Sequence, residues 1–239
     1  MRARTVADEL FSGPGFVEFG LAAVVKFGGS LLADVNTAKQ VAATFGSLPD
    51  DQRILVFPGG GPTDNVIEML ARKAGLTGAT INPACMRALD QTGILLAALH
   101  PALSAVETFA EARAALRAGQ IPVLLPGRLI LALDVFTRDD IITSDSLGAY
   151  FAFLVGAERY VVLTDVDGVF ESVQSQRLIR QISTAKLTSM GATSVDRCLG
   201  PLLDAVGMAA WVLNGARPER LAELLGGGEP LGTRIVPER

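Results

Sequence analysis

Two kinds of segment alternate along the chain. Short, continuous apolar runs predict buried strands, whereas longer stretches with helical spacing predict amphipathic helices. The predicted strands are Leu21–Phe27, Arg53–Phe57, Ile121–Leu125, Leu129–Leu133, Arg159–Thr164 and Ala210–Leu213, with Leu178–Ile182 as an edge element. The predicted helices are Thr37–Leu48, Asp64–Ala74, Pro83–Leu99, Thr108–Ala118, Ser144–Val155, Ser194–Val206 and Pro218–Leu225. This alternation is typical of an α/β fold in which helices cover a mainly parallel sheet.

Composition narrows the class of protein. With 239 residues, 49% hydrophobic and 19% charged, the chain can bury a large core. Its net charge of −4 gives no electrostatic signature of nucleic-acid binding. No uncharged apolar run approaches the roughly 18 residues that cross a bilayer. Without a signal-peptide pattern, and with Cys85 and Cys198 expected as free thiols, we expect a cytoplasmic protein.

Lys26 is the charged residue of the first predicted strand and stands just before Gly28-Gly29-Ser30. A lysine at the carboxyl end of a buried strand loses hydration and favours an anionic partner. Ligands bind at such strand ends in open α/β sheets, and glycines let the backbone approach an anion. A strand-end lysine that reaches solvent beside an ordinary turn is the structural alternative.

The second strand also ends in glycine, in the segment Pro58-Gly59-Gly60-Gly61-Pro62. Three consecutive glycines are entropically costly, and a tight turn needs only one or two. The segment matches neither a P-loop nor a GxGxxG fingerprint. It predicts a backbone surface for an anionic ligand at the start of the helix Asp64–Ala74.

Two polar segments in the second half are also candidates. Thr143-Ser144-Asp145 begins a predicted helix, where helix capping explains the residue types and Asp145 could also orient Lys26. Thr164-Asp165-Val166-Asp167-Gly168 ends an apolar strand, as either a turn or a nucleotide contact. The single histidine, His100, precedes a proline and is expected to be structural. The sequence contains no His/Cys metal cluster and no evident Ser/His/Asp arrangement.

Taken in order, four segments resemble the amino acid kinase superfamily, which includes acetylglutamate kinase, uridylate kinase and aspartokinase. They are VVKFGGSLL (24–32), VFPGGGPTD (56–64), ITSDSLGAYFAFLVGA (142–157) and YVVLTDVDGVF (160–170). The resemblance runs from about residue 23 to 236. It implies a three-layer αβα sandwich in one kinase domain, 21–239, with an acceptor-binding lobe at about 21–135 and a nucleotide-binding lobe at about 136–239. Residues 1–20 are an extension that the family pattern does not cover.

Two further segments, GATSVDRCLGPLL (191–203) and WVLNGARPERLAELL (211–225), look like the subgroup of the aminomethylfuran phosphate kinase of methanofuran biosynthesis. That family transfers the γ-phosphate of ATP to a phosphate, giving a diphosphate. This chain departs from the subgroup in two places. It has Asn82 before Leu89-Asp90 where a histidine is common, and Arg138–Ile141 where an aromatic residue is usual.

The resemblance implies roles for individual residues. Lys26 would stabilise the transition-state charge, and Asp145 would orient it. The residues implied for ATP are Gly28, Gly29, Ser30, Thr164, Asp165, Asp167, Gly168, Asn214 and Gly215. Those implied for the acceptor are Gly59, Gly60, Gly61, Pro62, Asn82, Thr143 and Ser144. Mg²⁺ would bridge the ATP phosphates with no assigned protein ligand, and a homo-oligomer is expected.

Other functions stay open at this point. The acceptor could be a nucleoside monophosphate, an acidic amino acid or a specialised metabolite. A phosphate acceptor favours additional cations, for which Arg87, Arg128 and Arg138 are candidates. A non-catalytic nucleotide-binding protein, like the molybdenum storage proteins of the superfamily, is the third alternative. The retention of Lys26, both glycine loops and Asp145 favours catalysis.

Overall fold

The computed structural model describes residues 19–133, 143–172, 175, 177–191 and 193–238. Its strands form one eight-stranded sheet in the order β3-β4-β2-β1-β5-β7-β8-β6. They are β1 (Ala23–Phe27), β2 (Ile54–Pro58), β3 (Leu103–Val106), β4 (Ile121–Leu124), β5 (Tyr160–Thr164), β6 (Gln181–Ser183), β7 (Ala210–Asn214) and β8 (Thr233–Val236). The pairings from β3 to β7 are parallel, while β8 runs antiparallel to β7.

Helices cover both faces of this sheet. They are α1 (Val35–Gly46), α2 (Gly61–Ala74), α3 (Gly78–Ala97), α4 (Phe109–Arg117), α5 (Gly127–Leu133), α6 (Ser144–Leu154), α7 (Thr184–Met190), α8 (Leu199–Val206) and α9 (Glu219–Leu225). A 3₁₀ turn, Gly29–Ala33, follows β1. Two hydrophobic clusters fill the spaces between the sheet and its helices. The expected three-layer α/β sandwich is confirmed.

The central strands are buried along their whole length. All five residues of β1, β2 and β5 are buried, because helices cover both faces of a parallel sheet. Lys26 is the charged residue of β1 and pairs in register with Phe57 of β2 and Val162 of β5. The carboxyl ends of these parallel strands meet at one edge of the sheet, where the predicted polar loops lie.

The predicted strand Leu129–Leu133 is wrong, because this segment belongs to helix α5. Ile130 is buried there, whereas Leu131 and Leu133 are exposed. A five-residue apolar run does not distinguish a short helix from a strand, and here burial is one-sided. The edge element predicted at Leu178–Ile182 is confirmed in position as β6, which begins at Gln181.

The predictions also missed three short elements, namely β3, α7 and β8. The helix predicted from Ser194 begins instead at Leu199, because the Asp196 carboxylate accepts hydrogen bonds from the N–H groups of Cys198 and Leu199. Conversely, α3 begins at Gly78 and contains Pro83 in its second turn, so it is longer than predicted.

Some predictions fall outside the described residues. These are the segment Arg138–Ile141 and the first 18 residues of the extension at 1–20. Within the described part of the chain, no helix is both long enough and apolar enough to span a membrane.

Candidate functional site

Lys26 and Asp145 form a buried ion pair at the carboxyl edge of the sheet. Lys26 Nζ lies 2.7 Å from Asp145 Oδ1, and each side chain is 10% exposed. Lysine and aspartate are seldom this buried unless they are paired, since each loses its hydration. The structure thus brings together the two residues that the sequence singled out as a cation and its orienting carboxylate.

Asp145 is placed by the first turn of α6. The Thr143 hydroxyl accepts a hydrogen bond from the Asp145 N–H at 3.4 Å and caps the helix, as the residue types predicted. A carboxylate is also favoured here by the positive end of the helix dipole. The Tyr160 hydroxyl donates to the Asp145 backbone carbonyl at 2.7 Å, which fixes α6 to β5.

Asp196, which the sequence predictions missed, holds this helix start in place. Its carboxylate accepts hydrogen bonds from the Thr143 hydroxyl (2.6 Å), the Ser146 hydroxyl (2.5 Å) and the Ser146 N–H (2.9 Å). Its own N–H donates to Asp145 Oδ2 at 3.1 Å. Asp145 is therefore held between Lys26 on one oxygen and Asp196 on the other.

The two glycine loops pack directly on each other. A side-chain carbon on Gly29 would collide with the backbone of Gly61, and one on Gly28 would collide with the Leu163 carbonyl. One on Gly59 would lie 2.8 Å from the Gly29 nitrogen and 3.3 Å from the Ser144 hydroxyl. Close backbone packing therefore accounts for part of the glycine content that the sequence analysis attributed to a ligand.

The loop amides differ in their availability. The N–H of Gly28 donates to the Leu163 carbonyl and that of Gly59 to the Phe27 carbonyl, each at 2.8 Å. Gly60 and Gly61 instead stand at the start of α2, where helical N–H groups lack intrahelical acceptors. Two of the predicted donors thus join neighbouring strands, while the helix start offers amides to a ligand.

Asp64 lies against the triple-glycine loop in the first turn of α2. A side-chain carbon on Gly60 would collide with the Asp64 carboxyl group. Burial raises the pKa of this carboxyl, and a hydrogen bond from the Cys85 thiol of α3 acts in the opposite direction. Burial, together with Asp64, raises the pKa of the Cys85 thiol to about 12.

A second polar group lies where β5 and β7 end. Asn214 Nδ2 donates to Asp167 Oδ1 at 3.1 Å, and Arg220 donates to the same oxygen at 2.6 Å. The hydrogen bond from Arg220, followed by that from Asn214, holds the pKa of Asp167 below its usual range. The Gly215 N–H donates to the Thr164 carbonyl at 2.7 Å, so the two loops meet. The sequence predictions missed Arg220.

The remaining predicted site residues make fewer contacts with the Lys26–Asp145 pair and the glycine loops. Ser30 and Asp165 are exposed at the same edge, Ser144 is partly exposed, and Pro62 is exposed in the first turn of α2. Gly168 packs against Thr233 of β8, which explains its glycine. Asn82 is partly buried on α3 without a hydrogen bond to the glycine loops among the described residues.

Two of the three candidate cations lie apart from the glycine loops. Arg87 and Arg128 line a cavity of about 440 Å³ between α3 and α5, together with Asp90 and Glu107. Asp90 accepts a hydrogen bond from the Gly127 N–H at 2.9 Å, and burial raises the pKa of this carboxyl. Thr92, two residues further along α3, faces Gly61, so the cavity lies on the opposite side of the helix. Arg138 lies outside the described residues.

The described residues contain no group of three or more His, Cys, Asp or Glu side chains able to hold a metal ion. Two of the carboxylates near the glycine loops, Asp145 and Asp196, already have partners in the protein.

Comparison with known proteins assigns this architecture. The family model described as the amino acid kinase family matches residues 22–214. The chain is 28% identical over 213 residues to the [5-(aminomethyl)furan-3-yl]methyl phosphate kinase of Methanocaldococcus jannaschii, covering 89% of this chain and 97% of that protein. It is 29% identical over 235 residues to the uridylate kinase of Haloarcula marismortui, covering 90% and 98%.

Solved structures show the same fold. The uridylate kinase of Archaeoglobus fulgidus superposes with a TM-score of 0.71 at 20% identity, covering 90% of this chain and all of that one. The UMP kinase of Bacillus anthracis also gives 0.71, at 16% identity, covering 90% of this chain and 95% of that one. The matched family model spans both glycine loops, the Lys26–Asp145 pair and the Asp167–Asn214 group. The chain belongs to the amino acid kinase family and is a phosphotransferase.

Proposed function

We propose that this protein transfers the γ-phosphoryl group of ATP to the phosphate of [5-(aminomethyl)furan-3-yl]methyl phosphate. The product would be the diphosphate, and the reaction would be a step of methanofuran-type cofactor biosynthesis. The observation that carries the phosphotransferase part is the buried Lys26–Asp145 pair at the junction of two glycine loops. The acceptor is proposed from the similarity to the Methanocaldococcus jannaschii kinase.

The residues around the Lys26–Asp145 pair fit a nucleoside triphosphate with its magnesium ion. A buried lysine, the amides at the start of α2 and the exposed Ser30 hydroxyl suit phosphate oxygens, which are strong acceptors. We assign no side chain of the protein to Mg²⁺, which would enter the site together with the ATP phosphates. When bound, Mg²⁺-ATP supplies the transferable phosphoryl group.

The protein's part in the reaction is positioning and charge stabilisation. Lys26 places its ammonium group where negative charge develops, and Asp145 fixes that ammonium group through the 2.7 Å ion pair. Asp196 fixes Asp145 in turn. Gly29, Gly60 and Gly61 present backbone donors, whereas Gly28 and Gly59, whose amides are engaged, shape the two loops.

The nucleotide and the acceptor would lie on opposite sides of this pair. The residues at and just after the ends of β5 and β7 would border the nucleotide, namely Thr164, Asp165, Asp167, Gly168, Asn214 and Gly215. The acceptor would lie beside the triple-glycine loop, bordered by Pro62, Asn82, Thr143 and Ser144.

We also propose that the protein forms a homo-oligomer. Light scattering tests this, and the mass of a monomer would contradict it.

Transfer to UMP is the second candidate, favoured by the 29% identity to the Haloarcula marismortui uridylate kinase over nearly the whole chain. Both acceptors present a phosphate oxygen to the same lysine. They differ at the other end, where one carries a primary ammonium group and the other a neutral uracil ring.

The direct test is ADP formation with ATP, Mg²⁺ and a panel of acceptors: the furan phosphate, UMP, acetylglutamate and aspartate. We expect turnover on the furan phosphate and a loss on the order of 10²–10³ in rate for Lys26→Ala, since its charge is removed. Lys39→Ala, which removes an exposed lysine of α1, is the matched control. Turnover on UMP alone would favour the second candidate. ATP binding without turnover on any acceptor would support a non-catalytic protein.

A further inference from the structure

Asp64 stands out among the carboxylates around the glycine loops because it is partly buried and has neither an ion pair nor a hydrogen-bond partner for its buried oxygen among the described residues. Asp145 pairs with Lys26 and Asp167 pairs with Arg220, while Asp196 accepts several hydrogen bonds. Asp64 forms no ion pair with any described residue. Its Oδ1 atom is buried without a hydrogen-bond partner in the described part of the chain. A partly buried carboxylate in this state is destabilised until a cation or a proton arrives.

The position of Asp64 indicates what kind of ligand group would pair with its carboxylate. Its carboxyl group packs on Gly60, the middle residue of the triple-glycine loop, while Gly61 of the same loop packs on Gly29 of the Lys26 loop. The carboxyl group therefore lies on the triple-glycine loop, close to where a phosphate would meet the α2 amides. A second negative charge here would repel an acceptor that is anionic throughout, but it would favour one with a cationic end.

We propose that Asp64 is the specificity-determining residue that binds a primary ammonium group of the acceptor. This inference rests on the proposed function, because that acceptor carries a phosphate on one arm of the furan ring and an aminomethyl group on another. The phosphate would lie at the glycine amides beside Lys26 and the ammonium group at the Asp64 carboxylate. UMP has no cation to offer, so Asp64 would also disfavour it.

The test compares two acceptors in two proteins. The acceptors are the aminomethylfuran phosphate and its des-amino analogue, (5-methylfuran-3-yl)methyl phosphate. The proteins are the wild type and Asp64→Asn, which keeps the side-chain shape and removes the charge. Asp51→Asn, at an exposed carboxylate before β2, is the control for loss of one negative charge.

We expect Asp64→Asn to raise KM for the aminomethyl acceptor about tenfold or more, because a charge-assisted hydrogen bond is lost. KM for the des-amino analogue should stay within about twofold, and Asp51→Asn should change neither value. The wild type itself should prefer the aminomethyl acceptor by a similar factor.

The outcomes separate this inference from the proposed function. If the wild type phosphorylates the furan acceptor but Asp64→Asn changes both acceptors equally, Asp64 is structural and the inference is wrong. If Asp64→Asn changes neither acceptor, the ammonium group binds elsewhere and the inference is again wrong. If the wild type neither binds the furan phosphate in calorimetry nor turns it over, the proposed acceptor and the inference both fail. The phosphotransferase assignment would stand in each case.

Discussion

Lys26 and Asp145 show how much a single residue depends on its surroundings in this protein. The lysine is predictable from the sequence, because it interrupts an otherwise apolar strand next to two glycines. The aspartate is also predictable as a helix-start residue. Asp196 is different, because it lies 51 residues from Asp145 and meets it only in the folded chain. Nothing in the local pattern of SVDRC distinguishes this aspartate from an ordinary capping residue.

Asp196→Asn tests the role of this missed residue as a positioning group. The amide cannot accept the same set of hydrogen bonds from Thr143 and Ser146, so Asp145 and Lys26 should lose their fixed arrangement. We expect kcat to fall at least about tenfold, with a smaller change in KM for ATP. Steady-state kinetics at saturating acceptor measure both constants.

The control for this variant is Asp204→Asn. Asp204 likewise accepts hydrogen bonds, from the Thr184 hydroxyl and the Glu238 N–H, but it has no bond to the Lys26–Asp145 pair. Its substitution should lower the melting temperature without a comparable loss of kcat. Equal effects of the two variants on kcat would show that Asp196 acts only through overall stability.

At the scale of elements, the two glycine loops account for the shape of the site. Both loops and their position after parallel strands were predicted from the sequence, because each follows a continuous apolar run that ends in glycine. The glycines were interpreted as a surface on which an anionic ligand binds. The structure adds that backbone-to-backbone packing between the loops requires small residues there, a contact between distant parts of the chain that no local pattern reveals.

Gly29→Ala tests this packing. A methyl group at this position would collide with the Gly61 backbone, so the loops must separate. We expect a destabilisation of about 1–3 kcal/mol in urea unfolding, together with reduced turnover. Gly78→Ala is the matched control, because a methyl group there meets nothing within 4 Å. It should be neutral or slightly stabilising. Equal destabilisation by both variants would contradict the packing account.

Substitution of Arg220 in α9 tests the polar contact between the ends of β5 and β7. Because Arg220 lowers the pKa of Asp167, their interaction should stabilise the fold above the ordinary aspartate pKa of 3.8 and weaken as pH falls through the lowered value. Arg220→Ala should therefore melt below the wild type at pH 7, and the difference should shrink below about pH 4. Melting curves across pH measure this. A difference that stays constant down to pH 2 would show that packing, rather than charge, is responsible.

For the whole molecule, helical spacing predicted the helices, and continuous apolar runs predicted the central strands, because buried parallel strands are uniformly apolar. The shortest elements escaped prediction. The four-residue strand β8 has too few positions to establish a period, and α5 resembles a strand until its one-sided burial is seen. The site follows the same rule: residues next to strand ends were predictable, whereas Asp196, Arg220 and the partly buried carboxylate of Asp64 depend on tertiary contacts.

The phosphorus NMR spectrum of the product formed from ATP, Mg²⁺ and the aminomethylfuran phosphate tests the proposed transfer at the acceptor itself. We expect two coupled resonances of the furan diphosphate, distinct from the two coupled resonances of the released ADP, which appear with the wild type and are strongly reduced with Lys26→Ala. An unchanged furan phosphate signal, beside active turnover of UMP or of a carboxylate acceptor, would contradict the proposed acceptor. Diphosphate formation at the wild-type rate by Lys26→Ala would contradict the proposed site.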